Sequence, residues 1–102
     1  MMDRKMLNQL QQMQKKLMQA QEDLGKTLVE GSAGGGVIEV KMNGHREILS
    51  ITIAPEAVDP NEIEMLQDLL MLAINDASKK AEELSNAKMG PLTGGLNIPG
   101  LF

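Results

Sequence analysis

Apolar residues in the first quarter of the chain fall at Met6, Leu10, Met13, Leu17, Ala20 and Leu24, in alternating steps of four and three. That spacing is a heptad seam, narrower than a globular helix face, and it predicts a long helix that needs a partner. Between the seam positions lie glutamines and lysines, good helix formers that stay in water. Gly25 is the expected C-cap, and about 22 residues at ~1.5 Å each make a rod of roughly 33 Å. The pattern then changes. Thr27 to Glu30 is short and β-branched, whereas Gly31-Ser32-Ala33-Gly34-Gly35-Gly36 is expected to hold no regular structure and to serve as a flexible hairpin connection. Val37 to Met42 alternates, with Ile38, Val40 and Met42 on one face and Glu39 and Lys41 on the other. Asn43-Gly44 is the favoured pair for a two-residue type I′ turn, after which Leu49, Ile51 and Ile53 restore the alternation.

A second helix is announced by Asp59 as N-cap, Pro60 at the first helical position and Glu62 completing a capping box. Ile63, Leu66, Leu70, Ala73, Ala77, Ala81 and Leu84 then recur by threes and fours, an apolar stripe whose alanine-lined second half permits close approach. From Met89 the chain is too rich in Gly and Pro for helix or strand. The expected division is therefore one domain over residues 1–89 and a tail over 90–102, either mobile or docked. The fold class is α+β: helix, three-stranded antiparallel sheet, helix. Strands of about seven residues span ~23 Å, so the helix ends overhang. The seam residues Leu10, Met13, Leu17 and Leu24, with Leu66, Leu70, Ala73 and Ala77, are the expected core and dimer contacts, because a twofold partner covers an overhanging seam and an open sheet edge.

Composition narrows the function. The 102 residues are 42% apolar and 24% charged, as in a single globular domain. There is no cysteine, hence no disulfide framework and no thiolate nucleophile or ligand. Phe102 is the only aromatic residue, which removes base-stacking platforms and leaves an aliphatic core. No apolar run approaches the ~20 residues that cross a bilayer. The glutamine-rich N-terminus lacks the apolar stretch of a signal peptide, so a cytoplasmic location with no membrane partner is expected.

One combination of residues is more specific. Glu30-Gly31-Ser32-Ala33-Gly34-Gly35-Gly36 before an alternating strand and Asn43-Gly44 resembles the YbaB/EbfC family of bacterial nucleoid-associated proteins. Glu64-Met65-Leu66 with Asp68-Leu69, Asn75-Asp76-Ala77 and Lys80-Ala81-Glu82-Glu83 resemble the family's second helix, and Lys88-Met89-Gly90 leading into Leu92-Thr93-Gly94-Gly95-Leu96 resembles its tail. The chain departs at Gln67, where the family often has an acid, and at the bulkier Leu70-Met71-Leu72. The resemblance implies a tweezer-like homodimer with protruding helices that binds double-stranded DNA, with an effect on nucleoid organisation and expression and with no catalytic activity. It carries over no base-reading residue.

The formal charge of −4, from 10 basic and 14 acidic residues, requires any nucleic-acid contact to come from local patches. Arg4, Lys5, Lys15, Lys16 and Lys26 on the first helix form one candidate. Arg4 and Lys15, like Lys5 and Lys16, are eleven apart, within ~20° on the helix and ~16 Å along it, a line suited to successive phosphates. Lys79, Lys80 and Lys88 form a second candidate patch. The competing interpretation is a solvated helix face with local pairs such as Asp76 to Lys80. Residues 56–76 carry Glu56, Asp59, Glu62, Glu64, Asp68 and Asp76 and no Lys or Arg, a surface that repels a duplex. His45, the single histidine, is expected as an exposed turn residue without metal or triad partners. The glycine run lacks the Gly-Lys-Ser/Thr and following helix of a phosphate cradle. No cofactor is implied, and no enzyme site emerges. The rival function is a protein-interaction adaptor whose helical arms and apolar tail grip a partner protein.

Overall fold

The computed structural model describes residues 3–93 and has the order α1 (Arg4–Lys26), β1 (Leu28–Ala33), β2 (Ile38–Asn43), β3 (Ile48–Ile53) and α2 (Ile63–Thr93), with short 3-10 turns at Gly34–Gly36 and Pro55–Ala57. The sheet is antiparallel in the order β1-β2-β3. The α-β-β-β-α arrangement is the expected one, and the molecule is a rod of 70 × 26 × 17 Å.

Asp3 caps α1, its Oδ1 accepting from the Met6 amide at 2.8 Å. The helix does not stop at Gly25 but runs to Lys26, where Thr27 Oγ1 donates to the Asp23 carbonyl at 2.8 Å and closes the last turn. Gly25 has a different reason to be small: a Cβ there would lie 3.1 Å from the His45 ring.

The sheet starts from a strand that propensity hides. Gly31, Ser32 and Ala33 belong to β1, paired with Val40, Glu39 and Ile38, rather than to an unstructured run. Glycine is required at position 31 because an added Cβ would collide with the Ala73 carbonyl and the Ala77 amide of α2. Helix and sheet thus meet backbone to backbone, with Ala73, Ala77 and Ala81 fully buried over Ile38, Val40 and Met42. The glycines at 34, 35 and 36 all have positive φ, between 63° and 96°, so the β1–β2 connection is a tight left-handed turn instead of a loose one.

The β2–β3 hairpin also differs from the two-residue turn expected. Arg46 donates to the Asn43 carbonyl at 3.0 Å, the Asn43 amide donates to Glu47 O at 3.1 Å, and Arg46 has φ 63°. That is a three-residue connection, Gly44-His45-Arg46, ending in a left-handed residue. Gly44 is selected by proximity: its amide donates to Leu24 O at 2.9 Å, and a Cβ would sit 2.6 Å from that same oxygen. Asn43, buried at 4% exposure, donates through Nδ2 to Gly25 O and Glu47 Oε1 and accepts at Oδ1 from the amides of His45 and Glu47. The end of α1 is thereby fastened to the hairpin.

Asp59 does not cap α2. Its Oδ1 accepts from the Asn61 amide at 2.9 Å and its carbonyl from Glu62, forming a turn that postpones the helix to Ile63. At its far end α2 passes through Gly90 and Pro91 to Thr93, against the expectation of no helix beyond Met89. Pro91 sits in the final turn, where its missing N–H costs a single bond, and the adjoining Leu92 is half-buried beside Lys16 and Ala20 of α1. The remainder of the tail, 94–102, lies outside the described residues.

Candidate nucleic-acid interface

Tertiary packing divides α1 into an anchored half and a projecting half. Leu24 and Ala20 are buried at 1% and 6% exposure, Leu17 is half-buried, and Met13, Leu10 and Met6 become progressively exposed towards the N-terminus. Two further clasps hold the anchored half. His45 Nε2 lies 2.8 Å from the Gln21 carbonyl, so the histidine expected as a plain turn residue also binds the helix. Lys88 Nζ of α2 lies 3.5 Å from Asp23 Oδ2. Beyond them α1 projects as an arm.

The arm carries one sign of charge. Residues 4–21 hold Arg4, Lys5, Lys15 and Lys16 and no Asp or Glu. Among the described residues none of these four forms an ion pair, and all are exposed. At 100° per residue Arg4 and Lys15 lie roughly opposite the apolar seam, with Lys5 and Lys16 on its flank. An acid-free line of free cations on an exposed rod has the geometry to meet phosphates without reading bases.

The other candidate lysines stand differently. Lys26 pairs with Glu22 at 3.3 Å. Lys80 is 3.3 Å from Asp76 and donates to the Glu30 carbonyl at 2.8 Å. Lys88 is engaged with Asp23. Lys79 is exposed, on α2 rather than on the arm. The first-helix and second-helix groups are therefore not one continuous free patch. On the hairpin, Arg46 bridges to Glu82 of α2 at 3.0 Å.

The Asp76–Lys80 pair has a role that spacing alone does not reveal. Asp76 Oδ2 accepts from the Ser32 amide at 3.0 Å while Lys80 donates to the Glu30 carbonyl, so two side chains of α2 occupy the free edge of β1. The Ser32 amide, and then the Lys80 ammonium, hold the Asp76 carboxyl below its ordinary range. An edge blocked in this way is a poor template for another strand. The only hint in the sequence is the Asp76 to Lys80 interval, which reads equally well as a surface pair.

β3 is the opposite case. α2 packs over β1 and β2, leaving Ile51 and Ile53, which pair with Val40 and Ile38, 43% and 37% exposed. The acidic stretch 56–76 lies at the sheet end of the rod, away from the basic arm, since Leu69 of early α2 meets the Gly34 turn while the Glu82 region meets the hairpin and α1. Among the described residues no cluster of three or more metal-ligating side chains occurs, and no helix is long and apolar enough to cross a membrane.

Comparison with known proteins is consistent along the chain. A model of the YbaB/EbfC DNA-binding family matches residues 1–96. A nucleoid-associated protein of Chloroflexus aggregans is 60% identical over 102 residues, covering 100% of both chains. Another from Desulforamulus reducens is 57% identical over 98 residues, covering 96% of this chain and 93% of that protein. The crystal structure of the uncharacterized protein HP0035 from Helicobacter pylori superposes with a TM-score of 0.73 at 28% identity, over 95% of this chain and 100% of that one.

Proposed function

Because this chain belongs to the YbaB/EbfC DNA-binding family, we propose that it binds double-stranded DNA as a homodimer, chiefly through backbone phosphates, in the organisation of a bacterial nucleoid and the expression of its genes. The observation that carries the DNA reading is the α1 arm: four cations without an ion-pair partner among the described residues, over an acid-free stretch, on a chain whose net charge is −4. A protein that is acidic overall and basic on its projecting rod approaches DNA with that rod and keeps its acidic end away. The relatives named nucleoid-associated protein support the cytoplasmic, nucleoid setting. The reading is of a binding protein and not an enzyme.

The dimer reading rests on what α2 leaves bare. Among the described residues the fully buried core is small and half of it alanine, thin for a self-sufficient domain. The uncovered face of β3, with Ile48, Ile51 and Ile53, adjoins the flank of α2 turned away from β1, where Ile63 and Met71 are also exposed. With the β1 edge occupied by Asp76 and Lys80, the β3 flank is the surface a twofold partner would cover. Such a dimer presents two basic arms.

Fluorescence anisotropy of a labelled duplex of about 30 base pairs, three helical turns, titrated at low and near-physiological salt, tests the DNA reading. Saturable binding that weakens steeply with salt is expected. Absence of binding at low salt refutes it and leaves the protein-adaptor alternative.

A further inference from the structure

The cations of the arm form two rows, and the residues between the rows are of one chemical kind. At ~100° per residue, Arg4 and Lys15 lie within ~20° of one line along α1, and Lys5 and Lys16 within ~20° of a second line roughly 100° further round. Within residues 4–21 the arc between the two lines holds only Asn8, Gln12 and Gln19, and it points ~140° away from the apolar seam. All three side chains are exposed, and among the described residues none of them is hydrogen-bonded. Both rows end where the arm meets the body: Glu22 and Asp23 stand on the same two lines and are engaged by Lys26 and Lys88. We propose that the arm lies in the major groove of the duplex, where Asn8, Gln12 and Gln19 read adenine on the groove floor while the flanking cations hold the phosphates on either side.

Size and chemistry agree with that placement. A helix with its side chains is ~10–12 Å across; the major groove, ~12 Å wide, admits it, and the minor groove, ~6 Å wide, does not. Asn8 to Gln19 measures ~16 Å along the helix axis, the rise of about five base pairs. A side-chain amide offers an N–H donor and a C=O acceptor side by side, which match adenine N7 and the adenine N6 amino group in the major groove. Guanine presents two acceptors there and cytosine a lone donor, so neither pairs with both ends of the amide. A carboxylate on this arc would repel the phosphates beside it, and residues 4–21 contain none. Lysine and arginine on phosphates give affinity without sequence, so base preference falls to the amides. The inference rests on the proposed DNA binding and adds to it the groove, the base and the side chains that recognise it.

A change of one atom in the DNA supplies the test. Replacing every adenine of an A·T duplex of about 30 base pairs, three helical turns, by 7-deazaadenine removes the N7 acceptor and leaves the phosphates, the base pairing and the minor-groove atoms in place. The native full-length protein should bind the substituted duplex ~5-fold or more weakly, the lower bound for one good base contact. The triple variant Asn8→Ala, Gln12→Ala, Gln19→Ala keeps every cation and a good helix former at each site; it should bind the two duplexes alike and keep the native salt dependence, with circular dichroism confirming the helix. Equal binding of the two duplexes by the native protein overturns the proposal, and so does an equal loss in the native protein and the triple variant. Either of those results leaves phosphate binding standing. Failure to bind either duplex at low salt removes the DNA reading itself, and this inference with it.

Discussion

Replacing Lys15 and Lys16 together by alanine removes half the free charge of the arm without disturbing an ion pair, since both side chains are exposed and neither has an acidic partner among the described residues. Alanine is also the best helix former, so the rod survives. A dimer with four arm cations per chain engages at most eight phosphates, and counterion release then gives a slope of log K against log salt of about −7, at roughly −0.9 per phosphate. The double variant keeps four and should show about −3.6. Between about 50 and 200 mM salt the native protein would lose on the order of 10⁴-fold in affinity and the variant only ~150-fold. Lys26→Ala serves as the control, because Lys26 is already neutralised by Glu22; its slope should match the native one. Anisotropy titrations at five or so salt concentrations, with circular dichroism to confirm the helix, measure all three. An unchanged slope in the double variant, or an equal flattening in Lys26→Ala, would refute the assignment of the arm as the phosphate-binding element.

Three further outcomes follow from the packing. Gly31→Ala should destabilise by about 1–3 kcal/mol or more in urea denaturation, because its methyl meets α2 backbone that cannot rotate away, whereas Gly35→Asn should change little: that site is open and its φ of 71° suits asparagine. Ile51→Glu, on the uncovered face of β3, should shift the proposed dimer to monomer in sedimentation velocity while leaving the chain folded. Asp76 contributes stability as a carboxylate whose folded pKa is depressed, so that contribution is fully present above the unfolded value of about 4 and is lost as pH falls through the lower folded one; the stability gap between native protein and Asp76→Asn should be widest near neutrality and close in strong acid.

Both helices, the hairpin and the inward set Ile38, Val40 and Met42 were legible in the sequence, because helix and strand periodicities are local and one apolar face must go inside. The arm cations were legible too, as an acid-free stretch. Elsewhere local rules pointed the wrong way wherever a distant element had the deciding contact. Gly31 to Ala33 look like loop, yet become strand because β2 pairs with them and α2 needs the missing Cβ. Gly44 looks like a turn former by φ, yet is small because Leu24 O lies against it. Pro91 looks like a helix terminator, yet α2 carries past it alongside α1. Which lysines remain free was likewise invisible along the chain. Lys80 and Lys88 find their partners across the fold, at the β1 edge and on α1, while Arg4, Lys5, Lys15 and Lys16 have no acidic partner among the described residues because α1 outruns the sheet that would bring acids to them. Periodicity and charge runs belong to the sequence by itself; close backbone approach and the pairing of charges depend on distances between elements far apart in the chain, and only the tertiary structure decides them.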